Sequence, residues 1–554
     1  MTARRLVVAI TFIGIFAMAT RVSVDTDTWW HLRAGQWILE HRAVPQTDPF
    51  SHTRSGAAWQ YPGWLAEVPM YWLWTISGYA GLNLFTAFFV TLAFVFVYLT
   101  TEGDEYLRCF TLVLAAAASG VYWAARPHIV SFAFAGGFAY ILLRFRTDPG
   151  YSMEKGIRKQ NLKTKFSDSV SGETFRGAGL WLMPPLMLLW ANIHGGFAIG
   201  FILLALTLAG ETAKALWATL RAGPHSDPPP SERHRQGRRD DVRQAWQRSA
   251  WLAGITLACA AAVVVNPSGP AMLLYPTRTI AIGVLRDFIQ EWQSPNFHQT
   301  EVQPFLWLLF ATLGAVGLSG KRIDFTDLLL ITGFGYLAFL AGRNVALFSL
   351  VAPPVLVRHG QEILREAKEL RELKELRQPE ELKEPTDIGG KRGNLGRAQI
   401  GGRAAGMLNW ALLGLVLIAA LVKVAVPLRT AVNEEAVAKQ VPVGAVEFVR
   451  QSRPAGPMFN SYNWGGYLIW TLYPDYPVFV DGRTDLYDDD LLREYLSAAT
   501  GQHGWQATLG KYGVNLVLIE SGSGLDQELA DSAAWANTFR DALAVVYERT
   551  GPAR

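Results

Sequence analysis

Cysteine is nearly absent. The 554-residue chain holds only Cys109 and Cys259, so it has no disulfide framework. With no CxxC pair and no Cys/His spacing, a finger-type zinc site is excluded too. A dominant charge is also lacking. Net charge is +4 from 51 basic and 47 acidic residues, too small a surplus to argue for nucleic acid. None of the basic loops reads GxxxxGK[ST] or GxGxxG, so they offer no recognisable nucleotide cradle. There is no internal repeat, which argues against a transporter built on repeat symmetry.

What remains is apolar and aromatic. Half the residues are hydrophobic, and 20 Trp and 29 Phe suit a protein with interfacial aromatic belts. A bilayer core needs about 20 apolar residues per helix. Eleven spans can be drawn, near 6–21, 82–100, 110–125, 129–144, 178–192, 197–214, 250–266, 304–319, 325–341, 345–357 and 406–426. Arg4-Arg5 before the first span and Ala17-Met18-Ala19 at its end resemble a signal peptide, and we read it as an uncleaved anchor. The stretch from Trp64 to Ile76 is too short to cross and is expected to lie at the interface.

Lysine and arginine test this layout. Most of them fall at Arg4 and Arg5, Arg108, and the loops 144–177, 214–249, 321–322 and 358–404. The alternate loops before residue 420 carry only Arg21, Arg33, Arg42, Arg54, Arg126, Arg278, Arg286 and Arg343. This asymmetry puts the N-terminus inside and the sparse loops outside. Three inner linkers follow, 145–177, 215–249 and 358–404. Pro228-Pro229-Pro230 and the arginines around it favour disorder over 221–248. The Glu, Leu, Lys and Arg pattern of 361–385 predicts a charged amphipathic helix.

The fold class is therefore an α-helical polytopic membrane protein, residues 1–429, with a C-terminal extracytoplasmic α/β domain, residues 430–554. In that domain Met458–Asn460, Val478–Val480, Val514–Ile519 and Ala544–Tyr547 are predicted strands. Helices are expected near 442–451, 464–472, 488–499 and 524–542.

Ionisable and amide side chains collect on the outer face: Asp25, Asp27 and His31 in the first outer loop (21–81), Arg126 and His128, Asn192 and His194, Glu291, and Arg343. Ionisable groups at membrane depth point to a site. Plainer roles exist for each. Asp27 or Thr28 can cap the helix predicted over 28–40, and its tryptophans can anchor it at headgroup depth. Arg126 can snorkel to headgroups. His194 sits in a Gly-Gly turn, and Glu291 can lie on a solvated helix face. The loops around Tyr462 to Tyr467 and Asp481 to Asp485 read as structural or acceptor-facing.

The segments DTWWHLRAGQWILEHRAVPQTDPFSHT, WANIHGGFAIG and FNSYNWGGYLIW resemble those of uncharacterised bacterial membrane proteins. The layout as a whole resembles the GT-C glycosyltransferases of the protein O-mannosyltransferase and aminoarabinose-transferase type. The resemblance implies sugar transfer from a polyprenyl-phosphate donor to a glycan, lipid or protein acceptor outside the bacterial cytoplasmic membrane. The implied base is Asp25 or Asp27, acting in one inverting displacement. Arg126, Arg343 and His128 are the outer-face donors for the leaving phosphate, with His194 and Asn192 as further candidates. Some members of this superfamily use a divalent ion. Asp25 and Asp27 with His31 or Glu291 supply hard ligands for Mg or Mn, but no metal is expected to be obligatory. Two other functions stay open: a lipid-linked glycan polymerase or ligase, and a noncatalytic scaffold or transporter.

Overall fold

The computed structural model describes residues 1–147, 178–221, 232–377 and 402–551. Of the expected inner linkers, 148–177, 222–231 and 378–401 lie outside the described residues. Among the described residues, fourteen α-helices precede the C-terminal unit: α1 (Ala3–Ala19), α2 (Thr28–His41), α3 (Trp64–Thr100), α4 (Glu105–Ser119), α5 (His128–Thr147), α6 (Met183–Ala191), α7 (Ala198–Arg221) and α8 (Glu232–Val263) come first. After them come α9 (Tyr275–Ala281), α10 (Gly283–Phe288), α11 (Gln303–Leu318), α12 (Phe325–Leu340), α13 (Val345–Arg377) and α14 (Gly402–Ala425).

Each expected span falls on one of these helices. Among the described residues, four stretches are long and apolar enough to cross a bilayer: Trp64–Thr100, His128–Thr147, Gly195–Arg221 and Ala404–Ala425. Gly179–Ala191, Gln303–Leu318 and Phe325–Leu340 are apolar but shorter. The chain is a multi-pass membrane protein. α14 packs on α1 and leaves Met407, Leu415 and Leu421 exposed, as a lipid-facing helix does.

Three differences from the sequence reading concern helix ends. The interfacial stretch 64–76 and the span 82–100 join in α3, broken at Gly78 with φ 55° and ψ −135°. Only glycine adopts that backbone readily, so the break is written into the sequence. The expected charged helix from 361 is no separate element; it continues α13 to Arg377. Likewise α8 begins at Glu232, so helix replaces much of the expected disorder.

α5 is 20 residues long, about 30 Å at the usual rise. Its first residue lies beside the outer-face cluster. Near its other end Arg146 pairs with Asp327 at 2.8 Å, Asp324 at 2.6 Å and Glu211 at 3.3 Å. Lys214 bridges Glu211 and Asp324, each at 2.6 Å, and Arg358 also pairs with Asp327. This network ties α5, α7, α12 and α13 together. Buried charges persist only when paired in this way.

After α14, α15 (Thr430–Ala438), α16 (Val443–Ser452), α17 (Gly465–Leu472), α18 (Asp489–Ala499), α19 (Trp505–Lys511) and α20 (Gly524–Ala530) surround a four-stranded sheet. Its strands are β1 (Met458–Asn460), β2 (Leu516–Glu520), β3 (Trp535–Arg540) and β4 (Ala544–Arg549), in the order β1-β2-β4-β3. β1 runs parallel to β2, and the other two pairings are antiparallel. The helix expected over 524–542 stops at Ala530, and the remainder is the edge strand β3. Its half-exposed residues carry little of the alternation that marks a strand. Val478–Val480 is buried but makes only one bridge, to Ser51.

That bridge is part of a larger union. The first outer loop and the C-terminal unit share one hydrophobic core, running from Trp29, Phe50 and Tyr79 to Phe459, Leu468 and Val517. Trp29 meets Trp74 at 5.6 Å and Tyr467 at 5.5 Å, all edge to face. Trp29 and Trp30 are buried, so they act as packing residues here and not as headgroup anchors.

A buried ionic clasp closes the union. Arg483, wholly buried, donates to Asp481 from Nε at 2.8 Å and from a terminal nitrogen at 2.7 Å. Its other nitrogen reaches Asp48 of the first outer loop at 2.6 Å. The Phe50 and Trp59 rings lie 5.2 and 4.8 Å from the guanidinium. Removing one partner strands a buried charge, so Arg483→Ala is expected to cost about 3–5 kcal/mol. Thermal unfolding in detergent measures this, and an unchanged midpoint would remove the clasp.

Candidate active site

The residues before α2 carry the acids. Asp27 occupies the N-cap position of that helix, yet its side chain makes no capping hydrogen bond. The carboxylate turns instead to Arg126, whose terminal nitrogen donates to Asp27 Oδ2 at 2.5 Å. Arg126 Nε faces Asp25 Oδ2 at 3.1 Å, and its other terminal nitrogen donates to Glu291 Oε2 at 3.2 Å. Arg343 stands 3.5 Å from Glu291 Oε1, with its guanidinium 4.5 Å from the Trp292 ring. Three segments far apart in sequence thus meet at the Arg126 guanidinium, and Glu291 links a fourth, that of Arg343. Capping and snorkelling explain neither the distances nor the convergence.

The electrostatics follow from burial and from these neighbours. Desolvation raises Asp27 to about 6, with Arg126 opposing the shift and Asp25 and Glu291 adding to it. Glu291 ends below its usual range because Arg126 and Arg343 outweigh the desolvation. The two acids are therefore unlike: one keeps its charge easily, the other titrates near neutrality.

Beside the cluster opens a cavity of about 700 Å³. Asp25, Arg126, Glu291, Arg343 and Arg21 contribute to its wall, along with apolar residues such as Val24, Val121 and Val302. Asn83, Gln290, Gln293, Asn296 and Gln299 also line it, so the wall mixes charged, polar and apolar groups, as a site for an amphiphilic ligand does. Asp27 is not in this wall. It faces the C-terminal unit, where a Cβ added to Gly482 would collide with its carboxylate, and one added to Gly466 would strike the Thr26 carbonyl.

The other expected residues divide. His194 Nδ1 accepts from the Gly196 backbone N–H at 2.9 Å and lies 3.0 Å from Ser131 Oγ, which accepts from Trp190 Nε1 at 2.7 Å. This leaves the ring hydrogen on Nε2. Burial, then Arg343 and Arg126, lower His194 to about 3, so the ring stays neutral. His128 donates from Nε2 to the Tyr122 carbonyl at 2.7 Å, and its ring centre is 6.3 Å from that of His194.

Asn192 and His31 are turned to structural partners. Asn192 accepts from Trp64 Nε1 at 2.9 Å and Asn266 at 3.0 Å, and donates to the carbonyls of Leu188 and Val265. His31 pairs with buried Glu67 of α3. One helical turn from Asp27 did not place it beside the acids, because that face of α2 packs on α3.

The sequence did not single out Arg21, Gly482 or the pair Tyr275 and Asp485. The Tyr275 hydroxyl bonds the Asp485 carboxyl, which burial raises to about 6. The Tyr275 ring lies against Gly195, next to His194. Asp481-Gly482-Arg483-Thr484-Asp485 was legible only as turn chemistry.

The sequence matches no protein-family model and no curated protein. Solved structures do match. The oligosaccharyltransferase AglB of Archaeoglobus fulgidus, in complex with an inhibitory peptide and a dolichol-phosphate, superposes with a TM-score of 0.51 at 14% identity. The match covers 93% of this chain and 69% of that one. The same archaeal enzyme tethered to an acceptor peptide gives 0.52 at 12% identity, over 94% and 69% of the two chains. The chain has the fold of a GT-C glycosyltransferase. ArnT of Cupriavidus metallidurans, bound to undecaprenyl phosphate, is a more distant match, with a TM-score of 0.43 at 14% identity over 98% and 97% of the chains.

Within this GT-C fold the contact of Gly482 with Asp27 is testable. Gly482→Ala is expected to lower stability by about 1–3 kcal/mol through overpacking. Gly510→Ala, where a Cβ meets nothing within 4 Å, is expected to leave the unfolding midpoint unchanged. Equal midpoints for the two variants would separate the Gly482 loop from Asp27.

Proposed function

We propose that this protein is a membrane glycosyltransferase that moves a sugar from a polyprenyl-phosphate-linked donor to an acceptor hydroxyl on the extracytoplasmic side. The observation that carries this reading is the Arg126 cluster in the wall of a cavity of about 700 Å³ lined by both polar and apolar residues. An archaeal enzyme of the same fold has been solved with a dolichol-phosphate and a peptide, which supports a lipid-phosphate donor here.

The roles follow from chemistry. Asp27, at the junction with the C-terminal unit, is the base that takes the acceptor's proton. Its raised value suits a base working near neutral pH. The acceptor oxygen bonds the sugar's anomeric carbon as the bond to the phosphate oxygen breaks, and the phosphate keeps that electron pair. One displacement inverts the anomeric centre. Arg343 and Arg21 are the cavity's phosphate ligands, since a planar guanidinium matches phosphate oxygens well. His194, neutral with its hydrogen on Nε2, is a further donor to the same charge. Asp25 and Glu291 hold Arg126 in position. Asn192 and His31 maintain the surrounding packing. The lysine and arginine distribution supports an orientation with the N-terminus inside and the C-terminal unit outside, and the resemblance implies a bacterial cytoplasmic membrane. The acceptor class, glycan, lipid or protein, follows from whatever docks beside Asp27.

Purified protein with extracted polyprenyl-phosphate sugars provides the test. Asp27→Asn is expected to lower turnover by about 10²–10⁴-fold while folding persists. Normal turnover in Asp27→Asn would end the base assignment. The rate at low donor should rise with pH through a midpoint near 6, because protonated Asp27 accepts nothing below it. A flat profile from pH 5 to about 7.5 would contradict that. Arg343→Ala is expected to weaken carrier-phosphate binding about ten- to a hundredfold. Unchanged affinity, read by calorimetry with polyprenyl phosphate, would remove Arg343 from the phosphate site.

A further inference from the structure

Asp25, Asp27 and Glu291 carry the hard oxygen donors that magnesium or manganese prefers. The point on which they converge is filled. Arg126 donates from its two terminal nitrogens to Asp27 and Glu291 at 2.5 and 3.2 Å, and its Nε stands 3.1 Å from Asp25 as an ion pair without a hydrogen bond. The root of that side chain is fixed as well: the Arg126 backbone N–H donates to Ala124, and its carbonyl accepts from Ile129 at the start of α5. His31, the nitrogen donor nearest in sequence, is committed to Glu67. Among the described residues no group of three or more His, Cys, Asp or Glu is arranged to hold a metal ion. The residues present do not fit a divalent ion while Arg126 is in place.

We propose that the Arg126 guanidinium is the resident cation of this site, standing where a divalent ion would otherwise bridge the three carboxylates. An arginine does not lose its proton in a protein, so its charge is as permanent as that of a metal. It is also monovalent and covalently tethered. A divalent ion entering the same space would meet a fixed like charge in a partly desolvated setting, where repulsion is far stronger than in water. The carboxylates are therefore a latent metal site, closed by one side chain. This inference concerns the cation of the proposed site and rests on its geometry, whatever group the protein transfers.

Manganese alone is the probe, titrated into detergent-purified protein and followed by electron paramagnetic resonance, with no sugar donor present. The wild type is expected to bind no Mn²⁺ at these carboxylates. Arg126→Gly is expected to bind one ion per chain, about tenfold or more tighter than wild type, through the three released carboxylates. Adding Glu291→Gln to Arg126→Gly should abolish that site. Stoichiometric binding by the wild type that disappears in Asp27→Asn or Glu291→Gln overturns the proposal. So does a folded Arg126→Gly protein that binds nothing. Should Arg126→Gly not fold, Arg126→Lys and the wild type decide: ion bound at these carboxylates in either refutes it, and none in both supports it. Because no turnover is measured, failure here is distinct from failure of the transferase assignment.

Discussion

The outer end of this molecule is organised by one charge. Three carboxylates brought together away from water repel one another, and each pays to lose its hydration. Arg126 offsets both costs at once, because a guanidinium presents three nitrogens in a plane and each can face a separate acid. The arrangement sets chain geometry as well as energy. It pins the end of α1's outgoing loop, the turn before α5 and the loop carrying Glu291 to a common point. Through Glu291 it also reaches Arg343, between α12 and α13. Burial is the main cause that raises Asp27, and the charges of Asp25 and Glu291 add to it against the pull of Arg126.

Holding Asp27 from behind is the task of the C-terminal unit. The Arg483 clasp is buried on both sides and joins Asp48 to Asp481, which fixes the turn containing Gly482 against the acidic segment. Glycine is required there by space and not by backbone angle. The same unit docks the loop that carries Glu291, since Asp489 accepts from the backbone N–H groups of Gly283 and Val284 at 3.2 and 3.0 Å. A domain that reads in sequence as an appendage is thus part of the wall around the acids, with a core it shares with the first outer loop.

How much of this was legible depends on the range of the signal. Apolar runs are local, and every expected span lies on a helix. Helix length and composition do not by themselves fix the number of crossings: four described stretches meet both, and several other expected spans lie on shorter apolar helices. The grouping of Asp25, Asp27, Arg126, Glu291 and Arg343 was also inferable, since charged residues flanking apolar spans have few explanations. Which atoms pair was not. The sequence placed His31 with Asp27 by helical spacing, but α2 packs that face on α3, where Glu67 awaits it. Asn192 looked like a site residue because it stands in a polar turn, while three of its hydrogen bonds, with Trp64, Val265 and Asn266, bind the end of α6 to its neighbours. Gly482, Tyr275 and Asp485 were invisible because their meaning lies in what another segment brings to them. The strand β3 was misread for a related reason: at a sheet edge little is buried, so the pattern is faint.

The unlike surroundings of the two leading acids give the proposed reaction a direction. Before transfer, negative charge resides on Asp27 and is balanced by Arg126. As the acceptor's proton moves to Asp27 that charge disappears, and an equal charge develops on the phosphate leaving the sugar. A guanidinium released from one anion is then available to another a few ångströms away, with no change in the net charge of the site. Electrostatic stabilisation of this kind needs no reorganisation of water, because the dipoles and cations are already in place. It also explains why the base should be the acid that titrates near neutrality. A carboxylate held far below neutrality by its arginine would keep that arginine and refuse the proton. Glu291, lowered by two arginines, is suited to holding them, and Asp27, raised by burial, is suited to letting one go.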